Sequence, residues 1–208
     1  MIDILLVDDH TIFRSGLRRL ISDKPDLRVA AEAASSAEAL SSIRDRDFDL
    51  VILDINLNGR SGFEVLEGVR RTKPHLPVLV MSMYPEEQFG TAAIRAGAHG
   101  YITKDVTPEA LFNAIHNVLT GRRYLSQTAS PIERCADQQP PHYRLSAREL
   151  QILQYIVNGK SLTEIGRLTF ISVKTVSTYR SRILEKLNLT TNAQLIEYAI
   201  RFGVGTAP

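Results

Sequence analysis

The chain has 208 residues, enough for one or two domains, and its 44% apolar content supports a packed core. No apolar run approaches the roughly 18 residues of a membrane span, so none is expected, and the single cysteine, Cys135, excludes an internal disulfide or a cysteine metal cluster. The net charge of +2 hides an asymmetry: residues 1–121 carry 13 Lys+Arg against 17 Asp+Glu, residues 122–143 carry 3 against 2, and residues 144–208 carry 9 against 4. An acidic front and a basic back point to two domains with different partners, nucleic acid being the candidate for the basic one.

The first apolar run, Met1 to Val7, lacks a basic flank and a small-residue cleavage site. It is therefore expected to be a strand rather than a signal peptide. It ends at Asp8 and Asp9. A helix follows with Ile12, Phe13, Gly16, Leu17, Leu20 and Ile21 on one face. Val29, Ala31 and Ala33 alternate as a second strand. Ser35 or Ser36 caps a helix whose face is Ala37, Leu40 and Ile43. Leu50 to Leu53 is the third strand and ends on Asp54. The segment Ile55 to Gly62 reads as a turn. Phe63, Leu66, Val69 and Arg70 mark the third helix, which Pro74 stops. Val78 to Met81 is the fourth strand, ending at Ser82, and a helix spans Glu86 to Ala96. His99 to Thr103 is the fifth strand, ending at Lys104. Thr107 caps the last helix of this half, with Pro108 at its first position, and the helix runs to Gly121.

Five strand–helix pairs in about 120 residues predict a doubly wound, five-stranded parallel sheet, flavodoxin-like, with helices on both faces. Its strands present their carboxyl ends on one rim, where ligands bind in such sheets. Asp8 with Asp9, Asp54, Ser82 and Lys104 all stand at strand ends. Converging carboxylates repel unless a cation lies among them, and hard oxygen donors suit Mg²⁺. Asp54 is then a carboxylate nucleophile for a phosphoryl group. Lys104 supplies a charge to the phosphoryl oxygens, and the Ser82 hydroxyl a hydrogen bond.

These residues, with Gly100-Tyr101-Ile102-Thr103-Lys104, make residues 1–121 resemble the receiver domain of two-component response regulators. The resemblance implies that Asp54 is the phosphoacceptor. It implies that Asp9 binds Mg²⁺ directly and Asp8 more loosely, with the Asn56 carbonyl as a further ligand beside Asp54. It makes Tyr101 the switch aromatic, which turns inward when Ser82 moves toward the phosphoryl group. Two positions depart from the family pattern. Asn58 replaces a usual proline, and Met83 replaces a usual small residue where bulk narrows access for the donor.

Residues 122–143, with Gln127, Ser130, Pro131, Gln138, Gln139, Pro140 and Pro141, lack periodicity and read as a flexible linker. Beyond them, Ser146 with Glu149 and Ser161 with Glu164 are capping boxes that open two helices. Leu150, Leu153, Ile156 and Val157 form the core face of the first. Ile165 and Leu168 belong to the second, and Thr169 to Ile171 make a turn. Ser172 caps a longer helix with Val176, Ile183, Leu184 and Leu187 inside. Thr191 to Phe202 is the last. Short helix, tight turn and longer helix form a helix-turn-helix pattern. The outer face of the longer helix carries Lys174, Thr175, Ser177, Thr178, Arg180, Ser181 and Arg182, cations for phosphates among short side chains that allow close approach to base edges.

Residues 144–208 resemble the LuxR-type DNA-binding domain through Leu145-Ser146-Ala147-Arg148-Glu149, Ile165-Gly166, Ile171 to Val176 and Lys186-Leu187. This resemblance turns Ser177, Thr178 and Ser181 toward the bases and Lys174, Thr175, Tyr179 and Arg182 toward the phosphates. Together the two domains resemble the NarL/FixJ class. The resemblance implies a cytoplasmic transcriptional regulator, not an enzyme. Its expected partners are double-stranded DNA, a sensor histidine kinase or phosphotransfer protein, a second copy on DNA and, as a further candidate, RNA polymerase. No membrane is expected to take part. Met83 and Asn58 motivate an alternative, a DNA-binding regulator controlled by partner or ligand without phosphorylation. An aspartyl-nucleophile phosphohydrolase is a third reading. Such enzymes use a second Asp two residues after the nucleophile, where this chain has Asn56.

Overall fold

The computed structural model describes residues 1–57, 60–125 and 140–204, with residues 60 and 61 described by backbone only. The expectations on Asn58, on Cys135 and on linker residues 126–139 lie outside the described residues. The chain divides into two compact units, Met1–Ala129 and Ser130–Pro208.

The first unit runs β1 (Ile2–Val7), α1 (Thr11–Ser22), β2 (Leu27–Ala33), α2 (Ser36–Asp45), β3 (Leu50–Asp54), β4 (Asn56–Leu57), β5 (Arg60–Ser61), α3 (Gly62–Thr72), β6 (Val78–Ser82), α4 (Glu86–Arg95), β7 (Gly100–Thr103) and α5 (Pro108–Leu119). Five strands pair in parallel in the order β2-β1-β3-β6-β7, as the doubly wound reading expects. Every residue of β3 and of β6 is buried, which is why these stretches read as continuous apolar runs. Alternate strand residues, among them Ile4, Leu6, Ile52, Leu79 and Ile102, form one core with Leu17 and Ile21 of α1 and Leu111, Ile115 and Val118 of α5.

Three local readings change. The expected turn after Asp54 contains a small antiparallel hairpin, Asn56 opposite Ser61 and Leu57 opposite Arg60. Ile12 is 91% exposed, because the inward column of α1 is Phe13, Leu17, Leu20 and Ile21, and Ile12 and Gly16 fall one column outside it. In α2, Ser36, Ala39 and Ile43 are buried and Ala37 is exposed. Ser35 is the cap, its hydroxyl accepting from the Glu38 N–H.

The second unit opens with a 3₁₀ turn, Pro141–Arg144, followed by α6 (Ala147–Val157), α7 (Leu162–Thr169), α8 (Val173–Leu187) and α9 (Asn192–Phe202). Both expected capping boxes form, and Thr191 with Gln194 makes a third. Helix α6 is more enclosed than its apolar periodicity suggests. Gln151, Ile152 and Gln154 are buried along with Leu150, Leu153 and Ile156, whereas Val157 is half-buried. The α7–α8 turn places Phe170 in the left-handed region, at φ 53. It also needs Gly166, since a Cβ there would stand 2.9 Å from the Ile171 carbonyl oxygen. His142 of the 3₁₀ turn is buried against α9, its Nδ1 3.0 Å from the Tyr198 hydroxyl.

Candidate functional site

The carboxyl rim of the sheet gathers the charged strand ends predicted from sequence. Asp8 and Asp54 are each 2% exposed. The Lys104 Nζ lies between them, 2.6 Å from Asp8 Oδ2 and 2.7 Å from Asp54 Oδ2. The other Asp54 oxygen, Oδ1, accepts the Asn56 N–H at 2.9 Å, so the turn after β3 orients the carboxylate. Burial raises the Asp54 pKa, and Lys104 and the Asn56 N–H only partly offset this. Burial works against the Lys104 charge, but Asp54 and Asp8 overcome it and raise the Lys104 pKa. Different causes thus prevail at the two groups: burial disfavours the Asp54 charge, while the two carboxylates beside Lys104 favour its charge.

Asp9 and His10 complete the rim. His10 Nδ1 is 2.9 Å from Asp9 Oδ1, 3.3 Å from Asp8 Oδ1 and 3.9 Å from Asp54 Oδ2. One ligand atom from each of Asp8, Asp9, His10 and Asp54 fits within 4.8 Å of all the others. The carboxylate oxygens are hard donors, and this acidic pocket fits a divalent cation. The His10 side chain is 60% exposed, at the open side of this cluster. No helical or strand period marks His10, so nothing along the chain signals that it stands on this rim.

Two further contributors carry no charge and escaped the sequence reading. A Cβ on Gly62 would lie 2.2 Å from the Asp54 carbonyl oxygen, so only glycine lets α3 start directly beneath the β3 terminus. The Phe13 ring lies 4.6 Å from the Lys104 Nζ, a cation–π contact that walls the ammonium from the α1 side. Ser82 is fully buried, and its Oγ accepts the Tyr84 N–H at 3.2 Å. Tyr101 is also fully buried, facing inward, and its hydroxyl donates to the Tyr84 carbonyl at 2.9 Å. Burial above all pushes the Tyr101 phenol pKa up, which keeps it a donor. Met83, by contrast, is 58% exposed.

In the second unit, α8 presents Lys174, Thr175, Thr178, Ser181 and Arg182 as an exposed stripe, with Ser177 and Tyr179 half-buried at its flanks. Val176, Ile183, Leu184 and Leu187 are buried behind it. Arg180 does not join the stripe: its Nε donates to Asn192 Oδ1 at 2.6 Å, tying α8 to the start of α9. The Thr178 hydroxyl donates back to the Lys174 carbonyl at 3.0 Å, leaving its methyl and lone pairs outward. Glu149 and Lys186, both within the quoted motifs, meet across α6 and α8 at 2.7 Å.

With this geometry, comparison with known proteins is decisive. Residues 4–116 match the response regulator receiver domain, and residues 143–199 match the bacterial regulatory proteins of the luxR family. The response regulator UvrY of Escherichia coli strain K12 is 32% identical over 212 residues, covering 100% of this chain and 97% of the relative. The chain belongs to the NarL/FixJ, LuxR-type family of response regulators. GacA of Pseudomonas aeruginosa is 35% identical over 209 residues, covering 98% of each chain. RcsB from Salmonella enterica serovar Typhimurium, solved bound to promoter rprA with the phosphomimetic BeF3−, has the same fold. Its TM-score is 0.73 at 22% identity, over 95% of this chain and 97% of that one. A receiver joined to a LuxR-type domain makes this response regulator a DNA-binding member of a two-component system. No helix among its described residues is long and apolar enough to cross a membrane.

Proposed function

We propose that this response regulator is switched by phosphorylation of Asp54. The carrying observation is the buried Asp54 carboxylate, held by Lys104 and the Asn56 N–H beside Asp8 and Asp9. In the transfer, an Asp54 oxygen attacks phosphorus. The bond from phosphorus to the donor histidine nitrogen breaks, and the leaving imidazole takes up a proton. Lys104 follows the new negative oxygens, and the Ser82 hydroxyl bonds one of them. Asp8, Asp9, Asp54 and the Asn56 carbonyl would hold Mg²⁺, which when bound supplies charge neutralisation for the phosphoryl oxygens. A buried Tyr101 accompanies the phosphorylated state. The donor is a sensor histidine kinase or phosphotransfer protein. Hydrolysis of its own aspartyl phosphate is the one enzymatic activity expected, since Asn56 offers no acid for a dedicated phosphohydrolase.

The domain division proposed is a receiver at 1–121, a linker at 122–143 and a DNA-binding domain at 144–208. Helix α8 enters the major groove of double-stranded DNA. Thr178, Ser181 and Ser177 approach bases, while Lys174, Thr175, Tyr179 and Arg182 meet phosphates. Two copies bind two half-sites, RNA polymerase is a candidate downstream partner, and the setting is cytoplasmic. The test is intact mass after incubation with a small acyl phosphate and Mg²⁺. One phosphoryl mass should appear on the parent and vanish in Asp54→Asn, and Asp9→Asn should abolish the reaction or its Mg²⁺ dependence. Equal labelling of the Asp54 variant would overturn the assignment, and an unlabelled parent would favour control by partner or ligand.

A further inference from the structure

The chain leaving α5 returns to the receiver sheet. Gly121 lies at φ +76. Its N–H donates to the Val118 carbonyl at 3.1 Å, and the Arg122 N–H donates to the Asn117 carbonyl at 2.9 Å. This Schellman reversal sends residues 122–125 back along β7. Gly100 and Tyr124 there form a parallel bridge. The Tyr124 N–H donates to the His99 carbonyl and the Tyr101 N–H to the Tyr124 carbonyl, each at 3.0 Å. Since β7 is an edge strand, these residues cover backbone groups that the sheet leaves unpaired.

Two glycines make the seat. A Cβ on Gly100 would stand 2.9 Å from Leu79 and Val118 and 3.2 Å from the Tyr124 Cβ. A Cβ on Gly90 of α4 would stand 3.1 Å from Leu125 Cδ2 and 4.0 Å from the Tyr101 Cβ. Leu125 therefore packs on α4 at Gly90, the position that also faces the Tyr101 Cβ. The returning segment thus bonds the switch tyrosine at its backbone N–H and packs beside the α4 glycine that the Tyr101 Cβ faces.

We propose that residues 122–125 are a strap coupled to Tyr101, docked when the ring is inward and loosened when it turns out. This rests on Asp54 being the phosphoacceptor, because phosphorylation is then what favours the inward ring over the outward one. The strap is also the first stretch of chain toward the DNA-binding domain, so the state of the receiver reaches the linker as a backbone position. Coupling is reciprocal: the factor by which phosphorylation favours docking is the factor by which docking favours the inward state.

The test is amide hydrogen exchange on the full chain, with and without acyl phosphate and Mg²⁺, with intact mass reporting Asp54 labelling separately. Exchange at the Tyr101 and Tyr124 amides should slow together on labelling, by about fivefold or more. Leu125→Ala should speed both and shrink that difference. Gly90→Ala, which presses on Leu125 from the other side, should do the same, while the Val51 amide of β3 stays protected and reports an intact fold. A labelled chain with unchanged Tyr124 exchange overturns the strap, as does a Leu125→Ala variant whose Tyr101 response is intact. If no phosphoryl mass appears, the reading of Asp54 fails by itself. The strap is then judged on the unlabelled chain, where Leu125→Ala must still speed both amides together.

Discussion

At position 62 a single methyl group would collide with the Asp54 carbonyl oxygen. Gly62→Ala is therefore expected to displace the phosphoacceptor and slow its labelling by about tenfold or more, as a 1 Å misplacement of a reacting group does. Initial rates from intact mass decide it, and an unchanged rate would mean that the backbone yields. The raised Asp54 pKa sets a pH dependence. The nucleophile must be ionised, so labelling should begin to fall at a pH above the ordinary carboxylate range. A rate constant down to pH ~4 would contradict this. Exposed Met83 offers a simpler comparison: Met83→Ala should speed labelling if the side chain crowds the donor, and an equal rate shows that it does not. On α8, the Thr178 hydroxyl proton is committed to the Lys174 carbonyl, which under the proposed reading leaves its methyl and lone pairs for a base. Thr178→Ala should cost roughly 1–3 kcal/mol on the preferred site and little on random DNA. Lys174→Ala should weaken all sequences alike and reduce the salt slope by about one. Salt titrations on cognate and scrambled duplexes separate the two.

Among elements, a mostly hidden charge joins α6 to α8. The Glu149 carboxylate accepts the Ser146 N–H at 2.6 Å and the Lys186 ammonium at 2.7 Å, joining the start of α6 to the last turn of the recognition helix. Burial pushes its pKa up, but Lys186 and Ser146 outweigh burial and hold it below the ordinary value of 4.5. A depressed carboxylate pKa stabilises the fold above the ordinary value, and that stability is lost as pH falls through the folded one. Thermal unfolding of the DNA-binding unit should weaken steeply below pH ~4.5, and Glu149→Gln should flatten that limb while lowering the neutral-pH midpoint. An equally steep limb in the variant would place the acid sensitivity elsewhere.

For the molecule as a whole, the charge asymmetry fits the proposed division of labour: an acidic receiver to take a cation and a phosphoryl group, and a basic unit to meet DNA. A dimer carrying two recognition helices should prefer half-sites about 10 bp apart, or a close multiple, because that spacing turns both major grooves to one side. Phosphorylated protein should bind such a duplex more tightly than a single half-site, with a matching shift toward dimer in sedimentation. Equal affinity for one and two half-sites would remove dimerisation from the mechanism.

The sequence by itself determined the strand and helix order, the rim of Asp8, Asp54, Ser82 and Lys104, and the capping of α6, α7 and α8. Each of these rests on local chemistry: apolar period, a capping hydroxyl (three residues before a carboxylate in α6 and α7), a polar residue where an apolar run stops. Asn58-Gly59 also lay in plain view as a hairpin signal between Leu57 and Arg60, but the two-residue strands around it were too short for a period to mark. Tertiary structure alone decided the rest. Ile12 and Ala37 face outward because helix rotation is set by the sheet beneath, not by apolarity along the helix. Arg180 turns to Asn192 and away from the exposed stripe of α8 because the start of α9 comes to lie beside it. His10 among the carboxylates, Gly62 under Asp54 and Tyr124 on the edge of β7 are juxtapositions between segments that no spacing along the chain encodes. They exist only once the parallel crossovers have brought separate strand ends to one rim and one edge.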